Sequence, residues 1–304
     1  MGHAHHHPHL KADHALVRRS ALYSILVSIS LILIKGLGWL LTGSIAMQAA
    51  LLDSIQDFVT SSINFVAIRH AQQPADAEHR FGHGKLESIA SLVQALIIVI
   101  TGLYVLYEAI EHCIHPHPLP YSWIAVATIC LSTFIGYLLV RYQQKVITQT
   151  GSIAVAGDSA HYRADIIINI GVLFSLCVAT FSDFWFLDPI IGITIAVYIL
   201  YAAYELIVEA MGILMDQELS PEMHEKIITI IKNEPNVYGF HDFKSRSSGD
   251  TAFVQFHLEL DGNMPLREAH RISDSLERKI MALFKSVEVT IHQDPRELYS
   301  HEHP

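Results

Sequence analysis

Six stretches of this chain are apolar for about as long as a helix needs to cross a bilayer, and that property leaves few folds open. They cover residues 20–42, 45–69, 88–111, 122–140, 152–180 and 186–211, each near the ~20 residues that carry a helix through ~30 Å of hydrocarbon. The first stretch ends at Thr42 and only Gly43 and Ser44 separate it from the second, which predicts a tight helical hairpin. The composition agrees: of 304 residues, 51% are hydrophobic and 16% charged, unlike an average soluble domain. The leading expectation is an α-helical membrane protein with six transmembrane helices.

Basic residues set the orientation. Arg18, Arg19, Arg69, Arg80, Lys85, Arg141 and Lys145 flank one set of loops, whereas the opposite loops, 42–44, 112–121 and 181–185, contain no Lys or Arg. By the positive-inside rule both termini face the cytoplasm. The first apolar run is too long for the core of a cleavable signal peptide and lies behind a His-rich leader. Cys113, Cys130 and Cys177 show no C-x-x-C spacing and are read as packing residues.

From residue 213 the composition becomes that of a soluble domain. Residues 221–233 have helical periodicity, 251–260 alternate, 266–284 carry an apolar stripe through Ala269, Ile272, Leu276, Ile280 and Leu283, and 287–291 alternate again. With a weaker strand over 238–245 the order is αββαβ, a C-terminal cytoplasmic α+β domain of ferredoxin-like type. The expected organisation is a disordered leader over 1–17, a membrane domain over 18–212, a metal-binding domain over 213–296 and a tail over 297–304. Residues 213–304 hold 16 Asp and Glu against 10 Lys and Arg, a balance that attracts cations and disfavours nucleic acid.

Against this apolar background four residues stand out. Asp53 and Asp57 lie in the second run, His161 and Asp165 in the fifth, and each pair is spaced i, i+4, so each stacks on one helix face about 6 Å apart. All four fall near mid-membrane, where an ionisable group costs on the order of 3 kcal/mol and usually marks an ion or proton pathway. Three carboxylates and one imidazole suffice for a tetrahedral divalent site. The absence of thiolate and thioether argues against Cu(I), and the imidazole against Mg²⁺ and Ca²⁺. A purely structural ion-pair cluster would need a cation on the same face, and none is expected there. Metal binds these groups only after their protons leave, so metal and H⁺ compete for the same atoms. A site opening alternately to each side would exchange one for the other.

The loop after the second run reads QQPADAEHRFGHGKLES. Asp76, His79 and His83 can converge around its Gly-containing turn, a three-ligand site at the cytoplasmic mouth.

LLDSIQD at 51–57, QPADAEHRFGHGKLES at 73–88, HYRAD at 161–165, GFHDF at 239–243, FVQFHLEL at 253–260 and VTIHQDP at 289–295 together make the chain similar to the cation diffusion facilitator family. It resembles most closely the bacterial zinc and iron efflux branch of YiiP type, and the resemblance covers residues 18–296. It implies a homodimeric, proton-coupled exporter in the bacterial inner membrane with three kinds of metal site. These are Asp53, Asp57, His161 and Asp165 for transport; Asp76, His79 and His83 in the loop; and a binuclear cytoplasmic site from His241, His257, His270, His292 and Asp294, with Gln293 assisting. Zn²⁺ is the expected substrate, with Cd²⁺ and Fe²⁺ also carried, and it doubles as a bound structural or regulatory ion; no other cofactor and no enzymatic activity are implied. The resemblance also pairs Lys85 with Asp216 near the dimer interface.

Four further expectations concern single residues. Arg163 sits about 200° around the helix from His161 and should face away from the metal. Asp158 shares the face of His161 and is either a cytoplasmic-side relay or a solvated helix end. Lys35 should snorkel to the outer surface. His112, His115 and His117 form a polar loop or a weak external release patch. The leader, with six of the 20 histidines between Gly2 and His14, could hand metal to the pore.

Two rival functions remain. HRFGH at 79–83 has the H-x-x-x-H spacing of a membrane-bound di-iron oxygenase, but no H-x-x-H-H box follows. A non-transporting metal sensor would use the cytoplasmic histidines. Neither gives the intramembrane quartet a task.

Overall fold

The computed structural model describes residues 8–42, 45–115, 123–181 and 187–296. Six long helices come first: α1 (Pro8–Thr42), α2 (Ile45–Ala71), α3 (Lys85–Ile114), α4 (Trp123–Thr150), α5 (Ile153–Phe181) and α6 (Leu187–Leu214). Among the described residues, segments of α1, α3, α4 and α6 are long and apolar enough to cross a membrane. The six-span expectation is thus met for four helices, and the other two, α2 and α5, carry the acid and imidazole pairs. Because α1 starts at Pro8, residues 8–17 are helical where a disordered leader was expected; residues 1–7 and the tail 297–304 lie outside the described residues.

Of the described residues, 13–73 and 86–211 form one compact unit, and 8–12, 74–85 and those from 212 form another. The loop 74–85 therefore belongs with the C-terminal unit rather than with the helices it joins.

The helical unit buries small and polar side chains and exposes large apolar ones. Ser20, Ala21, Ser24 and Ser28 of α1 are buried, whereas Leu33, Leu37, Leu40 and Leu41 lie open. That distribution suits lipid, in which small residues let helices approach closely and apolar faces need no cover. Gly36 belongs to the same design: a Cβ there would meet Leu51 Cδ1 at 3.7 Å, so α1 and α2 pack in ordinary contact at that level. Cys113 and Cys130 were expected to pack inside but are exposed, because they fall on outward faces of α3 and α4.

The second unit has the expected αββαβ order: α7 (Pro221–Lys232), β1 (Gly239–Ser248), β2 (Thr251–Leu260), α8 (Leu266–Met281) and β3 (Val287–Pro295). Ser220 caps α7 by accepting a hydrogen bond from Met223 N, and Pro221 occupies its first turn, where a missing N–H costs nothing. β1 and β2 run antiparallel through a turn at Gly249, whose φ of 62° favours glycine. α8 carries the chain back so that β3 joins β2 in parallel. The sheet order is β1-β2-β3. Val254, Phe256, Leu258 and Leu260 of β2 pack with Ile227 and Ile231 of α7 and Ile272, Leu276 and Ile280 of α8. Truncating any one of these to Ala costs about 2–5 kcal/mol. Alternation then leaves Gln255, His257 and Glu259 on the opposite face of β2, which positions the cytoplasmic site.

Candidate functional site

The i, i+4 spacing places Asp57 one turn beyond Asp53 on α2 and Asp165 one turn beyond His161 on α5. Where the helices meet, ligand atoms of Asp57, His161 and Asp165 lie within 4.8 Å of one another. His161 Nε2 is 2.9 Å from Asp57 Oδ1 and 3.8 Å from Asp165 Oδ2, and Asp57 and His161 are buried. With a proton on Nε2 the imidazole donates to the carboxylate; without it, both groups offer lone pairs to a cation.

Asp53 stands apart from these three. Its side chain is 57% exposed and its Oδ2 lies 3.5 Å from Lys35 Nζ. Two expectations are corrected here. A cation does lie beside the quartet, and Lys35, with a side chain only 10% exposed, does not snorkel outward. The reason is that the Lys35 stem lies toward α2, where Asp53 gives the ammonium a carboxylate within reach.

Asp158 is likewise not a solvated helix end. It is 1% exposed and accepts hydrogen bonds from Ser24 Oγ, from Gln143 Nε2 at 2.6 Å and from Gln94 Nε2 at 3.4 Å. Gln143 also donates to Ser24 Oγ at 3.1 Å, and Tyr162 OH donates to Ser24 O at 3.2 Å. The carboxylate thereby ties α5 to α1, α3 and α4 through neutral donors. Arg163 does face away from the metal ligands, as expected. Its Nε donates to Ser159 O, and it lines a cleft with Glu205 and Glu209 of α6.

In the C-terminal unit strand register does the assembling. His241 pairs across with His257, and His257 with His292, so the three imidazoles form one row across the sheet on its polar face. Ring centroids are 5.0 Å apart for the first pair and 4.6 Å for the second. Asp294 closes the group: its Oδ2 is 2.7 Å from His257 Nδ1 and 3.5 Å from His241 Nε2, and its Oδ1 is 3.2 Å from His292 Nε2. Glu259 adds a carboxylate 3.1 Å from His241 Nδ1. Sequence reading missed Glu259, although it lies two residues beyond His257 and hence on the same strand face. His270 is exposed on α8 and outside these clusters among the described residues. Gln293 alternates to the other face of β3 and donates to Ser273 of α8, so it does not assist this row.

In the loop, Asp76, His79 and His83 converge as expected, with donor atoms within 4.8 Å. Asp76 Oδ1 accepts from the backbone N–H groups of His79 and Glu78 at 2.6 and 2.9 Å. Chiefly the His79 amide holds the Asp76 carboxyl below the usual range, so it is ionised and ready for a cation at neutral pH. Gly82, with φ of 79°, makes the turn that returns His83 toward Asp76.

Residues 21–215 match the cation efflux transmembrane domain family, and residues 219–296 match the cation efflux protein cytoplasmic domain family. The chain belongs to the cation diffusion facilitator family. Among its relatives are the cation-efflux pump FieF of Shewanella oneidensis, 38% identical over 92% of this chain and 94% of that one, and FieF of Klebsiella pneumoniae strain 342, 38% identical over 92% and 93%. A solved structure described as the metal-bound C-terminal domain of the CzcD transporter from Thermotoga maritima is 28% identical and covers 27% of this chain and 93% of that one, with a TM-score of 0.25.

As a cation diffusion facilitator of YiiP type the protein is a cation efflux transporter rather than an enzyme. Its Lys85–Asp216 pair is present, at 2.8 Å, and is larger than the sequence implied. Asp216 also accepts from Arg246 at 3.0 Å, while Lys85 donates to Leu214 O. The Arg246 guanidinium packs over Phe81 and Phe253, 4.9 and 4.6 Å from their ring centroids. Of the histidines in and beside the α3–α4 loop, His115 lies 3.6 Å from Glu111, and His117 is outside the described residues.

Proposed function

We propose that this transporter exports divalent metal, Zn²⁺ foremost and also Cd²⁺ and Fe²⁺, from the cytoplasm in exchange for protons. The observation that carries this reading is the buried convergence of Asp57, His161 and Asp165 within 4.8 Å, with Asp53 one turn away as the fourth ligand. Carboxylate and imidazole suit a borderline divalent ion, and four such ligands complete a tetrahedron. The same atoms carry protons when no metal is bound, so alternate opening to the two sides couples metal exit to proton entry. The chain would cross the bacterial inner membrane six times with both termini in the cytoplasm and work as a homodimer; the family to which its C-terminal residues belong bears on the second point.

In that scheme Asp76, His79 and His83 collect metal at the cytoplasmic mouth. The row of His241, His257 and His292 with Asp294 fits a resident Zn²⁺, since donor atoms of His241, His257 and Asp294 converge within 4.8 Å and His292 reaches the same carboxylate. Such an ion would offset the Asp294 carboxylate and brace the three strands. His270 lies on the outer face of α8 and Gln293 reaches into the sheet–helix interface, so neither would ligate that ion.

Reconstitution in liposomes with metal-sensitive and pH-sensitive dyes tests the proposal. The native chain should move Zn²⁺ with opposite proton flow, and Asp57→Ala and His161→Ala should move neither. Native rates in both variants would remove the quartet from the transport route.

A further inference from the structure

We propose that Lys35 is a tethered competitor for the transported cation: its ammonium holds Asp53 off the Asp57–His161–Asp165 triad, is displaced when metal enters, and reclaims Asp53 when metal leaves. The inference rests on the quartet being the transport site and deepens it by naming what sets affinity and release.

Its basis is an asymmetry within the quartet. Three members present donor atoms within 4.8 Å of one another. The fourth is not among them and instead faces Lys35, 3.5 Å away. Lys35 is confined there, because its side chain is 10% exposed and the neighbouring Gly36 lies in ordinary contact range of Leu51 on α2. An ammonium beside a carboxylate is attracted to it, yet a dication brings twice the charge and bonds to four ligands at once. Metal therefore wins Asp53 when it is present.

Charge balance favours the same exchange. Three carboxylates and a neutral imidazole sum to −3, a dication leaves −1, and the nearby ammonium brings the loaded site to neutrality. The displaced ammonium stays within reach of the site on its short tether. As the metal's bonds loosen toward the exit, Lys35 competes again for Asp53 and shortens the lifetime of the bound state. No proton need leave Lys35; the event is a change of ion-pair partner.

The test is Zn²⁺ uptake by the full-length chain in liposomes, comparing native protein with Lys35→Met, which keeps the length and loses the charge. Freed from its competitor, Asp53 joins the metal more readily, so KM should fall about five-fold, the equivalent of one ion pair, and the maximal rate should fall with it as release slows. Lys35→Arg should bring both values back toward native. If Lys35→Met does not assemble, Lys35→Gln, which can still donate to Asp53 but carries no charge, should show the same paired fall. A KM that is unchanged or raised in an assembled neutral variant overturns the proposal, because a merely structural lysine would lower the rate alone. Failure of the underlying reading shows separately, as native transport by Asp57→Ala and His161→Ala whatever Lys35 does.

Discussion

Asp57 and His161 lie 104 residues apart in the chain and meet at 2.9 Å, with both side chains at most 5% exposed. A buried carboxylate against a buried imidazole is a site that either a proton or a metal ion can hold together. Each occupant satisfies both groups, and an empty, fully deprotonated site leaves both lone pairs facing each other unsatisfied. The exchange of those two occupants is the chemistry the proposed transport cycle needs.

Asp57→Asn keeps the shape of this contact and removes the charge. It should lower initial Zn²⁺ uptake in proteoliposomes by at least about 100-fold, the scale on which metal sites respond to losing a directing group. Uptake near the native rate would show that Asp57 is not a ligand.

The Asp158 clasp predicts a stability effect rather than a transport signature. Asp158→Ala leaves Ser24, Gln94 and Gln143 without their shared acceptor, at a cost of about 1–3 kcal/mol. Thermal unfolding in detergent should move down accordingly, and Asp158→Asn should recover part of the loss. An unchanged midpoint for the alanine variant would mean the clasp contributes nothing.

Asp216 makes a pH prediction. Hydrogen bonding from Lys85 first, and from Arg246 second, holds its carboxyl below the usual carboxylate range. A depressed folded-state value contributes stability that is complete above the unfolded pKa near 4 and is lost as pH falls through the folded value. Asp216→Asn should therefore be less stable than native at pH 7, with the gap closing only below about pH 4. Asparagine also tolerates the backbone here, where φ is 59°. A gap that stays constant down to pH 3 would assign the effect to something other than this ion pair.

The histidine row should bind Zn²⁺ without lying on the transport route. Zinc at 100 times its dissociation constant stabilises a site by about 2.7 kcal/mol, so saturating Zn²⁺ should raise the unfolding midpoint of the full chain. His257→Ala or Asp294→Ala should diminish that rise while leaving measurable uptake. Abolished uptake with an undiminished rise would contradict this division of labour.

Much of this could be read without coordinates. The αββαβ order and the convergence of Asp76, His79 and His83 follow from local pattern: period-2 and period-3.6 apolar spacing, and a glycine turn between two imidazoles. His241, His257 and His292 came from the family resemblance, and their alignment in a row could not be read from the pattern, because register depends on how neighbouring strands slide past each other. His270 and Gln293 show the same limit from the other side. Both are the right residue type near the right place, yet one sits on the outer face of α8 and the other points into the sheet–helix interface.

The helical unit divides in the same way. Sequence alone determined that α2 and α5 each present two ionisable groups one turn apart on a single face, since helical period is a property of the backbone. Only the packed structure decided which of those groups share a site, because that depends on the depth and rotation of helices that contact one another far along the chain. It brought Asp57, His161 and Asp165 together, gave Asp53 to Lys35, and buried Asp158 among four helices, where the linear pattern allowed a solvated end.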